Sequence, residues 1–240
     1  MSGHSKWATT KRQKSVIDAK RGKIFTKLAK ALTLAARSGG ADPAANPTLR
    51  LAIDRARAQN MPSDNIERAI KRGSGDLDGV TFEEFTYEAV GPGGSAFIIQ
   101  TISDKKTRTV SDLKMILGRH DARLTATGSQ AWQFSHVGQI SMRVTAQQVE
   151  QAQLDAIESG ADDVIVDAAD PTHLLVVCSA SRLAQTRDQL RSHGYSPEDG
   201  ELVYRVKRRV ILSGQDLIKA KAIYEALEEN DDVQQIAVNF

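Results

Sequence analysis

The sequence predicts an α+β multidomain protein: an N-terminal three-helix bundle, an α/β domain, and a ferredoxin-like βαββαβ domain inserted in it. Three observations carry this. Apolar residues over 22–75 recur with the 3.6-residue period of amphipathic helices and are punctuated by glycines and an Asn-Pro pair. From Phe82 onward short runs of β-forming residues appear, separated by turn signals. Between about 136 and 206 the order is strand, helix, strand, strand, helix, strand, the split βαβ arrangement.

Residues 1–21 show little apolar periodicity and carry Lys6, Lys11, Arg12, Lys14, Lys20 and Arg21 against Asp18 alone, so they read as a basic arm that is disordered or frayed when free. From Gly22 to Ser38, Ile24, Phe25, Leu28, Leu32 and Ala35 share one half of a helical wheel, and Lys20, Lys23, Lys27, Lys30 and Arg37 share the other. Gly39-Gly40 ends that helix. Asn46-Pro47 opens a second, an N-cap residue followed by proline at the first helical position, which Asn60 can close. Ser63-Asp64 caps a third, with Asp64 and Glu67 at capping-box spacing and Gly73 and Gly75 as stops. These helices form the bundle, residues 22–75.

Residues 74–80 read as a linker. Strands over 82–90 and 95–103 form a hairpin through Gly91-Pro92-Gly93-Gly94, a helix follows at about 105–119, and a strand at 131–134. The ferredoxin-like unit comprises strands at 140–144, 164–167, 174–178 and 202–206 with helices at 146–158 and 182–192. A short strand at 210–212, a helix at 215–229 and a strand at 233–238 complete the chain. The segments 76–135 and 207–240 are each small for a core of their own, so they are expected to pair as one domain with residues 136–206 inserted.

Charge is the main functional signal. Residues 1–75 hold sixteen Lys/Arg and five Asp/Glu, a net of +11, and the remainder holds sixteen against twenty-five, a net of −9. Such a division points to a polyanionic partner for the first segment. Lys6, Lys11, Arg12, Lys14, Lys20, Arg21, Lys23, Lys27 and Lys30 are the expected phosphate contacts, since each neutralised phosphate releases counterions. Trp7 either stacks on an exposed base or folds back on the bundle. A lysine stripe can also be a merely solvated helix face; here the excess spans seventy-five residues and includes an arm with no core to solvate. Replacing Lys23, Lys27 and Lys30 with Glu is expected to abolish binding without unfolding the bundle, because these residues lie off the apolar arc. A second group, Arg205, Lys207, Arg208 and Arg209, either touches nucleic acid or pairs with the acidic body.

Catalytic signals are absent from the pattern, so no enzyme is expected. Gly91-Pro92-Gly93-Gly94 lacks the Lys-Ser/Thr of a phosphate-binding loop and joins two strands. The five histidines are scattered without metal-ligand spacing, and no metal or cofactor is expected. Asp162-Asp163 and Asp231-Asp232 are sequence neighbours whose side chains diverge in extended chain. No Ser-His-Asp set follows from residue order. Cys178 is the only cysteine, which excludes an internal disulfide, reads as a strand core residue and fits a reducing compartment. No apolar run reaches the roughly 18 to 20 residues that span a bilayer, so no membrane partner is expected. The expected location is the cytoplasm; the basic, acid-poor start leaves the mitochondrial matrix as an alternative.

The motifs GHSKWA (3–8), DAKRGKIFTKLAK (18–30), AARSGGADPAANPTLRLAI (35–53) and NMPSDNIERAIKRGSG (60–75) resemble the N-terminal signature of the YebC/PmpR family. YEAVGPGG (87–94), ESGADDV (158–164) and DDVQQIAVN (231–239) extend the resemblance along the chain. It implies the same three-domain architecture and a role in gene expression without enzymatic activity. Members are DNA-binding transcriptional regulators or ribosome-associated factors that aid translation, and a mitochondrial translational activator of cytochrome c oxidase subunit one is similar. DNA and ribosomal RNA are therefore the implied partners, and a monomer is expected. The chain departs from the family at SDKKTRT (103–109), DARLTATGS (121–129) and Val206-Lys207. Two other readings stand beside this one: a nucleic-acid-processing enzyme with an acidic interdomain cleft, which needs clustered carboxylates, and a protein-interaction adaptor, which needs weak, salt-indifferent nucleic-acid binding.

Overall fold

The computed structural model describes residues 3–240, with side chains from residue 21 onward except Asp199. Helices α1 (Gly3–Gly39), α2 (Pro47–Ala58) and α3 (Ser63–Ser74) are followed by β1 (Glu83–Val90), β2 (Ala96–Ser103), α4 (Lys106–Gly118) and β3 (Arg123–Thr125). Then come β4 (Phe134–Arg143), α5 (Val149–Glu158), β5 (Asp163–Val166), β6 (His173–Ser179), α6 (Leu183–Ser192), β7 (Pro197–Val206), α7 (Gly214–Glu228) and β8 (Val233–Val238). The strands form two four-stranded sheets, ordered β3-β1-β2-β8 and β5-β6-β4-β7. The architecture is α+β and multidomain. The arm expected over 1–21 is not separate from the first helix: α1 begins at Gly3 instead of Gly22 and runs through it, while the side chains before Arg21 are not described.

The chain divides into two compact units: residues 1–86, 99–120 and 221–236 in one, and 87–98, 121–220 and 237–240 in the other. In the first unit, Leu32, Ala35 and Ala36 of α1 bury against Leu49, Ile53 and Ala56 of α2 and Met61, Ile66 and Ala69 around α3. Each fully buried leucine contributes about 1.5–3 kcal/mol, so this shared core, rather than helix propensity, holds three short helices together. Asn46 caps α2 as expected: its Oδ1 accepts from Leu49 N at 3.0 Å while its Nδ2 donates to Ala35 O at 2.8 Å, tying the cap to α1. The capping box expected from Asp64 and Glu67 does not form. Pro62 is the N-cap of α3 and supplies no side-chain bond. Gly73 lies inside α3 rather than ending it, because a Cβ there would meet the Thr33 carbonyl and Ala36 of α1; Gly75 (φ 89°) makes the left-handed stop.

In the second unit, β4 pairs antiparallel with both β6 and β7, and β5 pairs with β6. With α5 and α6 as the crossings this is the ferredoxin-like βαββαβ fold. Its core is Ile140, Met142, Leu174, Val176 and Cys178 from the sheet with Ala152, Ala156, Leu183 and Leu190 from the helices. The strands expected at 131–134 and 140–144 are one strand from Phe134, preceded by a 3-10 turn at Ala131–Gln133. Gly138, in the gap between those two expected strands, belongs to the ladder, paired with Cys178 and Leu202. A Cβ there would come within 3.0 Å of Cys178 Sγ and Leu183, so only glycine lets α6 approach. No strand forms at 210–212; Val210 N donates to Asn239 O at 2.6 Å, and Ile211 is 97% exposed.

Candidate nucleic-acid interface

The lysine face of α1 meets the chain's own oxygens. Within the first unit, Lys23 Nζ donates to Glu229 O at 3.3 Å and Lys27 Nζ to Glu228 O at 2.6 Å. Lys30 Nζ donates to Asp231 O at 2.9 Å and to Asp232 Oδ1 at 2.6 Å. The acceptors are the end of α7 and the turn after it, where terminal carbonyls lack intrahelical partners and the helix dipole is negative. Asp232 is a junction: besides Lys30 it accepts from Thr109 Oγ1 (2.7 Å), Ser103 Oγ (3.2 Å) and Arg108 (3.2 Å).

This corrects the reading of Lys30 as a phosphate contact, since it is buried and a phosphate would have to displace Asp232. Lys27 is also committed. Burial holds its ammonium below the ordinary value, the carboxylates of Glu228 and Asp231 oppose that, and the charges of Lys23 and Lys30 add to it. Lys23 stays exposed, 3.8 Å from the Glu229 carboxylate, a pair screened by solvent. Arg21 is exposed. Lys6, Trp7, Lys11, Arg12, Lys14 and Lys20 lie outside the described side chains. Arg37, on the basic side of the α1 wheel, is exposed, and α2 and α3 add exposed cations that the wheel of α1 does not contain: Arg57, Arg68 and Lys71. Their signal was in the +11 total.

Of the second basic group, Arg205 pairs with Asp163 at 3.7 Å. Lys207, Arg208 and Arg209 are exposed, and no ion pair involves them among the described residues. Asp231 is exposed and Asp232 buried, so that acidic pair diverges as expected.

One Ser-His-Asp arrangement does occur in space. Ser141 Oγ lies 2.7 Å from His173 Nε2, and His173 Nδ1 lies 3.5 Å from Asp167 Oδ2. Ser141 Oγ also donates to Glu198 Oε2 at 3.1 Å. Glu198, which can only accept when ionised, competes with His173 for the single hydroxyl proton of Ser141, so the set lacks the undivided base that a serine nucleophile requires. Among the described residues no three His, Cys, Asp or Glu side chains gather to hold a metal ion, and no helix is long and apolar enough to cross a membrane.

Residues 5–76 match the TACO1/YebC protein N-terminal domain and residues 82–240 the TACO1/YebC second and third domain. The chain belongs to the TACO1/YebC family. A probable transcriptional regulatory protein of Nitrosomonas europaea is 44% identical to it over 238 residues, 98% of this chain and 97% of that one. Another so named, from Chlorobium chlorochromatii, is 43% identical over 239 residues, 100% and 95% of the two chains. The crystal structure of a conserved hypothetical protein from Aquifex aeolicus superimposes with a TM-score of 0.82 at 35% identity, over 93% of this chain and 91% of that one. The two TACO1/YebC matches together cover both the bundle and the body of this chain.

Proposed function

We propose that this TACO1/YebC protein is a non-enzymatic, cytoplasmic regulator of gene expression that binds a nucleic acid through its N-terminal cations. One observation carries the reading: residues 1–75 have a net charge of +11, and Arg21, Lys23, Arg37, Arg57, Arg68 and Lys71 among them are exposed. A surface of this kind binds phosphodiester backbones through counterion release and fixes position rather than sequence. The contacts are Lys6, Lys11, Arg12, Lys14, Lys20, Arg21 and Lys23, with Trp7 against a base and Arg37, Arg57, Arg68 and Lys71 beside them. Lys27 and Lys30 hold the fold instead. The relatives' name as transcriptional regulators favours DNA; ribosomal RNA presents the same phosphate chemistry. Crosslinking in cells followed by sequencing of the attached nucleic acid tests this. Promoter DNA identifies a transcription factor, ribosomal RNA a translation factor, and recovery of neither above background removes the proposal.

A further inference from the structure

In the second unit, the ring of Trp132 is 62% exposed, although it is the largest side-chain type and belongs to no core cluster. It is also held still. Its indole Nε1 donates to Ser129 O at 3.0 Å, and the loop carrying it is clamped by the buried Glu88 carboxylate, which accepts from Gly128 N (2.6 Å), Gln130 N (2.6 Å) and Ala131 N (3.0 Å). An indole anchored by a hydrogen bond while still in solvent has less freedom left to lose on binding.

A cationic segment is bonded to the residue that follows Trp132. Lys207 N donates to Gln133 O at 2.8 Å, directly after Trp132, and Val210 N donates to Asn239 O at 2.6 Å. Asn239 in turn donates to Gln133 Oε1 at 2.8 Å. These bonds hold the backbone at both ends of Lys207-Arg208-Arg209, whose three side chains are exposed and make no ion pair among the described residues. Further along the same β4–β7 ladder the exposed His136 stacks on Tyr204, with ring centroids 4.7 Å apart and planes at 30°.

We infer that this end of the ferredoxin-like domain is a second nucleic-acid site, one for unpaired nucleotides. Trp132 stacks on a base, the outer face of His136 takes another, and Lys207, Arg208 and Arg209 receive the phosphates. Exposed aromatic faces joined to a cationic track recognise single strands, whereas bases stacked within a duplex cannot reach them. The bundle would then grip the backbone of a structured target while this site takes a looped or melted segment. The inference rests on nucleic acid being the ligand, as proposed above.

Trp7 and Trp132 are the only tryptophans, so Trp7→Phe leaves Trp132 as the sole indole reporter. Full-length Trp7→Phe protein titrated with a ten-nucleotide oligouridylate or oligothymidylate should show quenched indole emission. Trp132→Ala should weaken binding of that strand, measured by fluorescence anisotropy of labelled oligonucleotide, roughly tenfold. Lys207→Glu/Arg208→Glu/Arg209→Glu should weaken it and lower the slope of log affinity against log salt by about 2. All four positions are exposed, so the variants should melt like the parent. Binding by anisotropy without quenching, and untouched by either variant, overturns the inference while leaving the N-terminal grip standing. Equal quenching by polyglutamate overturns it too, marking a protein-docking surface. No binding of single strands or duplexes at all removes both readings.

Discussion

The Lys30 ammonium and the Asp232 carboxylate meet at 2.6 Å where only 11% and 6% of their side chains reach solvent. One belongs to the helix that opens the chain and the other to the turn before β8, so the pair ties α1 to a segment about two hundred residues away. Its geometry fits a well-made buried pair, with Thr109, Ser103 and Arg108 occupying the remaining acceptor sites of the carboxylate.

Removing one partner of such a pair leaves the other buried without compensation. Lys30→Ala should therefore lower stability by about 3 kcal/mol, toward the low end of the usual range because Arg108 still faces Asp232. Lys23→Ala, which loses an exposed contact, should change it by less than about 1 kcal/mol. Urea denaturation of the two variants makes the comparison, and equal losses would show that Lys30 has no special role.

Acid should reveal the same carboxylate. Burial alone would raise the Asp232 pKa, but hydrogen bonds from Lys30 and Thr109, the Lys30 charge and the Arg108 bond outweigh it and bring the net value below ordinary. A depressed carboxylate stabilises the fold above its unfolded pKa, near about 3.9, and that contribution disappears as pH falls through the folded value. Asp232→Asn should thus be less stable than the parent at neutral pH, with the gap closing below about pH 4. A gap constant from pH 7 to pH 2 would sink the assignment.

Glu88 is the other structural acid. It is 5% exposed and accepts three backbone N–H groups from the 128–131 loop. Hydrogen bonds to a charged acceptor are worth about 1.5–3 kcal/mol each, non-additively. Glu88→Ala should cost about 3 kcal/mol and loosen the loop, lowering the steady-state anisotropy of Trp132 emission in a Trp7→Phe background. Unchanged anisotropy would mean that Glu88 does not set the rigidity of Trp132.

Alkali should act on Tyr195, whose hydroxyl donates to Asp155 Oδ2 at 2.6 Å. Burial, then the Asp155 hydrogen bond and charge, push the phenol up to about 12. The neutral phenol is the favoured form in the fold, so its stabilisation is complete below the unfolded value near about 10 and is lost as pH rises from there through the folded value. Difference absorbance titration of the parent against Tyr195→Phe should show the missing phenolate signal near pH 12; a signal near pH 10 would break the link to Asp155.

Much of the fold was legible because local rules and tertiary packing agreed. Asn46-Pro47, Gly39-Gly40 and the β4-to-β7 order each follow from residue chemistry that packing did not override. Two of the misses share one cause. Gly73 and Gly138 look like breaks in a pattern, yet each permits a close approach that exists only once a distant helix has docked. The lysine stripe of α1 misled in the same way. A helical wheel separates apolar from charged faces, but cannot know that the end of α7 will present carbonyls and Asp232 to the charged one.

Charge reversal therefore has to respect which cations are already in use. Changing Lys23, Lys27 and Lys30 to Glu would put a carboxylate against Asp232, so lost binding in that variant would report damage to the fold as readily as loss of a grip. Arg57, Arg68 and Lys71 offer the cleaner test, being exposed and engaged in no ion pair among the described residues. Arg57→Glu/Arg68→Glu/Lys71→Glu should leave the urea midpoint unchanged, weaken binding to a duplex at least tenfold, and lower the salt slope by about 3. Lys30→Gln should do the reverse, lowering the midpoint while the folded fraction keeps the parent's salt slope. If Lys30→Gln lost the slope and the triple variant kept it, phosphate would be reaching the α1 face after all, and the Lys30–Asp232 pair would have to open for nucleic acid to bind.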